Sequence, residues 1–379
     1  MSRAVLVLED GSTFEGESFG APVDSLGEVV FNTGMTGYQE VLTDPSYDGQ
    51  IVNMTYPQIG NYGINDADVE SSVPRVAGFV VRDAVAQWSS WRGKSSVDEY
   101  LSEHGIGGIS EVDTRRLTRH IRDRGAMRGG ISSSLSAEEL LAAVTNLPSM
   151  AGADLVGNVT VKEPYVWPSE GKARFRVAAY DYGIKFNILR LLAAHGCETR
   201  VFPARTAAAD VLADSPDGIF LSNGPGDPEA VTYAVEAIDE LLGAVPIFGI
   251  CLGHQLLARA FGFDTYKLKF GHRGVNHPVA RLLDGAIEIT TQNHGFAVSE
   301  APFDYERPER PGLSLGRERI AQTPRGEVAL THINLNDYTI EGIRSLDLPA
   351  YSVQYHPEAG PGTHDSRYLF EGFVAMMQG

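Results

Sequence analysis

A chain of 379 residues, 43% hydrophobic and 21% charged, has the composition of an ordinary folded protein and more length than one hydrophobic core usually serves. Its formal net charge of -18 would repel a polyanion over most of the surface, which argues against nucleic acid as the main ligand. The cysteines, Cys197 and Cys251, cannot build a disulfide framework and point to a reducing compartment, with the cytoplasm as the expected location.

The apolar run Ala4 to Leu8 stops at Glu9 and Asp10, too short for a signal-peptide core, and reads as a first strand. No run approaches the roughly 18 apolar residues of a membrane helix, so neither secretion nor a membrane span is expected. Short strand-like runs such as "GEVVFNT" and "GQIVNMTY", broken by "TDPSYDG" and "YPQIGNYG" turns, make residues 1–145 a smaller, β-rich α/β domain. One helix interrupts them: Asp113 caps "TRRLTRHIRDR", Leu117 and Ile121 form its buried side, and Gly125 ends it. The arginines around it, Arg115, Arg116, Arg119, Arg122, Arg124 and Arg128, are either a solvated face or a surface for a partner. Residues 146–173 lack sustained periodicity and read as a linker.

From 174 to 379 strands alternate with helices: "RFRVAAYDYG", "KFNILRLLAAHG", "ETRVFPA", "DGIFLSNGPGDP" and "VTYAVEAIDELLG" follow one another. That alternation predicts βαβ units and a mostly parallel sheet with helices on both faces, its ligands at the carboxyl ends of the strands. In "VPIFGICLGHQLLARAFG" a central strand, Val245 to Ile250, precedes a helix that packs Leu256, Leu257 and Ala260 inward. Cys251 lies at the turn between them. The glycines Gly249 and Gly253 make this the cysteine counterpart of a nucleophile elbow, and a helix N-terminus favours the thiolate. Cys197, in "HGCETR", lacks such a setting and reads as a core residue.

A thiol nucleophile needs a base. In "AYSVQYHPE" the strand alternation puts Ser352, Gln354 and His356 on one side and Tyr351, Val353 and Tyr355 on the other. Pro357 keeps His356 extended, so that Glu358 returns to the same side and accepts the imidazole's second N–H. His254 lies within the elbow helix, and His272 and His277 are too loosely spaced for a metal site; no metal is expected. One oxyanion donor is the N–H of Leu252, and the second comes from Gly224 and Gly226 of "LSNGPGDP", unless that loop is merely a tight turn. "RGKSS" has Trp88 where a phosphate loop needs glycine, and "GIGGIS" ends in serine, so no nucleotide site is visible.

The motifs "LSNGPGDP", "FGICLGHQLLARAFG", "TQNHGFAV" and "YHPEAGPG" resemble those of triad-type (class I) glutamine amidotransferases. The segments "GEVVFNTGMTGYQEVLTDPSYDGQIVNMTYPQIGNYG", "EVDTRRLTRHIRDRGAMRGGI" and "YDYGIKFNILRLL" are similar to the small, glutamine-hydrolysing chains of carbamoyl-phosphate synthetases. The resemblance implies a class I amidotransferase-like fold, with Cys251 as nucleophile, His356 as base and Glu358 as its orienter. It further implies L-glutamine contacts at Ser46, Gly224, Gly226, Leu252, Gln255, Asn293, Gly295 and Phe296. It implies a heterodimer in which a large synthetase chain carries ATP and Mg, this chain has no cofactor, and the ammonia serves carbamoyl phosphate synthesis for pyrimidine and arginine biosynthesis. Gly360 and Thr363 depart from the family's serine and proline, and residues 303–329 read as a surface insertion, with an additional partner contact as the alternative. The same nucleophile, base and oxyanion hole would also serve a free-standing cysteine hydrolase of γ-glutamyl or peptide bonds. A catalytically silent scaffold is the alternative outside enzymology.

Overall fold

A computed structural model describes residues 2–303 and 319–379. The chain forms two compact units, residues 1–153 with 269–274, and residues 154–268 with 275–379. In the first unit the strands Arg3–Leu8, Thr13–Gly20, Gly107–Ser110, Gly78–Val80, Gln50–Met54, Ser25–Asn32 and Met127–Ser132 close, in that spatial order, into a barrel. Alternate side chains, among them Leu6, Leu8, Phe14, Val29, Ile51, Val80 and Ile109, fill one continuous core. The helix Thr114–Arg124 lays Leu117 and Ile121 onto this core. It begins where the Asp113 carboxylate accepts the Arg116 N–H at 2.9 Å and ends at Gly125, whose φ is 111°.

The second unit is built on an 11-stranded sheet. Cys197–Pro203, Phe175–Asp181, Gly218–Leu221, Ile247–Ile250 and Ala350–Val353 pair in parallel in that order. Because side chains alternate along each strand, Phe175–Asp181 sends Ala178 and Tyr180 to one core and Val177 and Ala179 to another. Helices Ala208–Ala213, Thr232–Leu241 and Leu252–Ala260 cover the first face, and Phe186–Ala194 and Tyr368–Gln378 cover the second.

The expectation of a mostly parallel sheet needs correction, because the sheet is mixed. Ile340–Ser345 pairs antiparallel with Ala350–Val353, and Gly326–Asn334 continues the antiparallel pattern to the long strands Thr265–Arg281 and Ile287–Val298. The β–α alternation stops after the elbow helix, and the short connections between the last strands leave no room for a crossover, so those neighbours pair antiparallel.

The stretch 146–173 is not uniformly irregular. The division between the units falls within it, after residue 153, and it holds a helical turn, Val156–Val159. Tyr165–Trp167 adds an antiparallel edge strand to Cys197–Pro203, bracketed by Pro164 and Pro168, a placement that suits an edge. Of the expected surface insertion, residues 304–318 lie outside the described residues. Phe303 stacks on Phe263 with ring centroids 5.1 Å apart, and Arg319–Thr323 pairs with Gly326–Asn334, so the described flanks belong to the sheet and its core. No helix among the described residues is long and apolar enough to cross a membrane.

Candidate active site

The buried strand Ile247–Ile250 delivers the chain to Cys251, which sits at φ 55°, ψ -105°, immediately before the helix Leu252–Ala260. A non-glycine residue at positive φ costs on the order of 1 kcal/mol or more and persists only where its surroundings over-determine it. Here they do. The Cys251 N–H donates to Val353 O at 2.9 Å, the Gly253 N–H to Ser222 O at 2.9 Å, and the Gln255 N–H to Cys251 O at 3.1 Å. Gly253 is forced by the close approach of strand and helix, since a Cβ there would stand 2.1 Å from Leu221 O.

The strand that ends at Val353 continues the alternation expected of it. Ser352 Oγ meets His254 Nδ1 at 2.9 Å, and Gln354 Oε1 accepts from Gln255 Nε2 at 3.0 Å. His356, two residues further on, faces the Cys251 thiol. Thus every second residue of this strand meets the elbow or the first turn of its helix. The opposite face carries Val353 and Tyr355 into the core beneath Phe370 and Phe373.

His356 Nδ1 lies 2.6 Å from Glu358 Oε1, and the same oxygen receives Lys185 Nζ at 2.6 Å. The Lys185 and Glu358 side chains are 4% and 0% exposed, so this is an ion pair withdrawn from water. Burial is the largest effect on His356 and favours the neutral ring. The Glu358 carboxylate and the Cys251 sulfur together outweigh burial and the opposing charge of Lys185, and push the imidazole up to about 10. Burial would likewise raise Glu358, but Lys185 and His356 together hold it below the usual carboxylate range. Among the described residues His356 Nε2 has no hydrogen-bond partner, and with Nδ1 committed to Glu358 it is the nitrogen left to meet the Cys251 side chain. The thiol itself donates a long contact, 3.5 Å, to Asn293 O. Cys251 is 2% exposed.

The loop after Gly218–Leu221 closes on the same point. A Cβ on Gly224 would stand 2.2 Å from Tyr182 O and 2.9 Å from Leu252 Cδ2, and Gly226 has φ 92°. Ser222 accepts from Gly253 through its carbonyl, and the Lys185 N–H donates to Asn223 Oδ1 at 3.2 Å. Leu252 is the first residue of the elbow helix, and its N–H therefore has no intrahelical acceptor. Asn293 and Phe296 come to the same region through their carbonyls, which receive Cys251 Sγ and Gln255 Nε2, and Gly295 lies between them. Ser46 belongs to the other unit, in the turn Pro45–Tyr47, where its N–H donates to Asp44 Oδ1 at 2.9 Å.

Two groups complete the picture. Lys185 was missed by sequence reasoning, although a lone cation between Ile184 and Phe186, directly after a buried strand, was the available signal. Cys197 is fully buried, and burial pushes its thiol up to about 11, which suits a core residue.

The bent cysteine at the head of a helix, the imidazole and the buried acid behind it lie within residues 178–376, which match the family described as glutamine amidotransferase class-I. Residues 6–131 match the CPSase domain of carbamoyl-phosphate synthase small chains. The chain is 54% identical to the carbamoyl phosphate synthase small chain of Syntrophotalea carbinolica, over 99% of this chain and 98% of that one. It is 52% identical to that of Chlorobaculum tepidum, over 99% and 98%, and 50% identical to that of Streptomyces avermitilis, over 99% and 96%. The chain belongs to the carbamoyl-phosphate synthase small chain family.

Proposed function

We propose that this chain hydrolyses L-glutamine to glutamate and ammonia, and that the ammonia passes to a large synthetase chain for carbamoyl phosphate synthesis. The observation that carries the reading is the row Cys251, His356, Glu358, with the cysteine held at positive φ and the imidazole held by a buried carboxylate. The thiol proton passes to His356, whose raised proton affinity holds it there, and the sulfur then attacks the side-chain carboxamide carbon of glutamine. A C–S bond forms, and the displaced carbonyl electron pair rests on an oxygen facing the N–H of Leu252 and the loop at Gly224 and Gly226. His356 returns the proton to the amide nitrogen, the C–N bond breaks and ammonia leaves. A water molecule, deprotonated by His356, then attacks the thioester, the C–S bond breaks and glutamate departs.

Ser46, Gln255, Asn293, Gly295 and Phe296 are the remaining proposed glutamine contacts. Gln255 must release Phe296 O or Gln354 to reach a substrate. The chain takes no cofactor in this reaction; ATP and Mg act on the large chain, and carbamoyl phosphate feeds pyrimidine and arginine biosynthesis. The test is synthesis by the reconstituted pair. Cys251→Ala is expected to abolish glutamine-dependent synthesis and leave ammonia-dependent synthesis intact, and loss of both or of neither refutes the assignment.

A further inference from the structure

The helix Thr114–Arg124 carries charge that the glutamine chemistry does not use. Arg115 and Arg116 stand in its first turn, where the exposed N–H groups and the helix dipole disfavour cations. Arg115, Arg119 and Arg122 recur at intervals of four and three residues on one face, where like charges oppose helix formation. Several exposed arginines elsewhere meet acids: Arg92 pairs with Asp68, Arg200 with Asp214 and Arg205 with Asp154. On the helix, Arg116 lies 4.3 Å over the Phe14 ring and donates to Thr13 O, and Arg122 pairs with Asp123. Among the described residues Arg115 and Arg119 have no acidic partner, although acids exceed bases by 18 in this chain.

These two side chains line an open recess of about 420 Å³ with Asp113, Arg116, His120 and Asp123. The other charges there are committed: Asp113 caps the helix, Asp123 holds Arg122 and His120 meets Asp10 at 2.8 Å. We infer that the Arg115–Arg119 face docks an acidic surface of the large synthetase chain. The inference rests on the reading that this chain works as a small chain with a large partner. A chain this acidic repels an acidic partner over most of its surface, and a cationic stripe is where such a partner can approach and orient. The stripe from Arg115 to Arg122 extends about 10 Å along the axis, too long for one small anion and suited to several carboxylates on a protein surface.

The test is titration of the intact large chain with wild type, Arg115→Glu/Arg119→Glu and Arg115→Lys/Arg119→Lys chains at low and high salt. Charge reversal is expected to weaken Kd at least tenfold at low salt, with the gap narrowing as salt rises, while the lysine variant keeps most of the affinity. Reversal should not lower the melting temperature, because an acid at position 115 suits the first turn and one at position 119 can pair with Arg116 and Arg122, and partner-free glutaminase activity should stay within about twofold. Unchanged affinity and salt dependence would overturn the inference while leaving the small-chain reading intact. Loss of self-association with unchanged binding of the large chain would overturn it in favour of a second copy. A wild-type chain that fails to bind the large chain removes the reading itself, and the inference with it.

Discussion

Two helices of this molecule begin in opposite ways. Thr114–Arg124 starts from a capping aspartate, ends at a glycine and buries only Thr114, Leu117 and Ile121. Leu252–Ala260 starts from a cysteine at positive φ, has no side-chain cap and is buried at Leu252 to Ala258 and at Ala260. The first obeys the local rules of helix formation and would be read correctly from its own residues. The second breaks them, and neighbouring strands hold it in place through Val353, Ser222 and Leu221. Local cost concentrated at one residue and countered by distant segments is what a reactive group requires.

The comparison breaks most visibly at the cysteine. Cys251→Ala is expected to reduce glutamine hydrolysis by about 10⁴-fold or more, measured as glutamate release, because no other group in the site can form the thioester. Gly253→Val should remove activity for a different reason: its side chain meets Leu221 O, so the elbow opens, and thermal unfolding should show a loss of about 3 kcal/mol. An active, fully stable Gly253→Val chain would mean that strand and helix do not need this close approach.

The buried charges sharpen the contrast through pH. Folding raises the proton affinity of His356, so its ion pair contributes fully below its unfolded value of about 6.5 and is lost as pH rises through about 10. The stability gap between wild type and His356→Gln should therefore be widest near pH 6, on the order of 3 kcal/mol, and shrink toward pH 10.5. Denaturant titrations across that range check it, and a gap that grows with pH would place the proton elsewhere. The smallest effect belongs to the ordinary helix: Asp113→Ala should cost about 1 kcal/mol of stability and leave glutaminase activity unchanged.

The elbow was legible because its parts are local. Cys251 between glycines after an apolar run, and the alternation Ser352, Gln354, His356, depend on residues adjacent in sequence. Both faces of the parallel strands could be read for the same reason. The antiparallel half of the sheet was not legible, because its last strands follow one another through short connections without the helices that announce a crossover, and Gly326–Asn334 also pairs with Thr265–Arg281 far back in the chain. Lys185 escaped notice because its role exists only once Glu358, far along the chain, folds against it. Residues 269–274 join the first unit from within the long strand Thr265–Arg281, and no periodicity in "KFGHRG" announces that return.

The most direct test is to quench the chain with acid during turnover of isotopically labelled glutamine and map the label by peptide mass spectrometry. A glutamyl adduct on the peptide that carries Cys251, absent from Cys251→Ala, is the predicted result. Continued turnover with no adduct on Cys251, or an adduct on Cys197 instead, would contradict it.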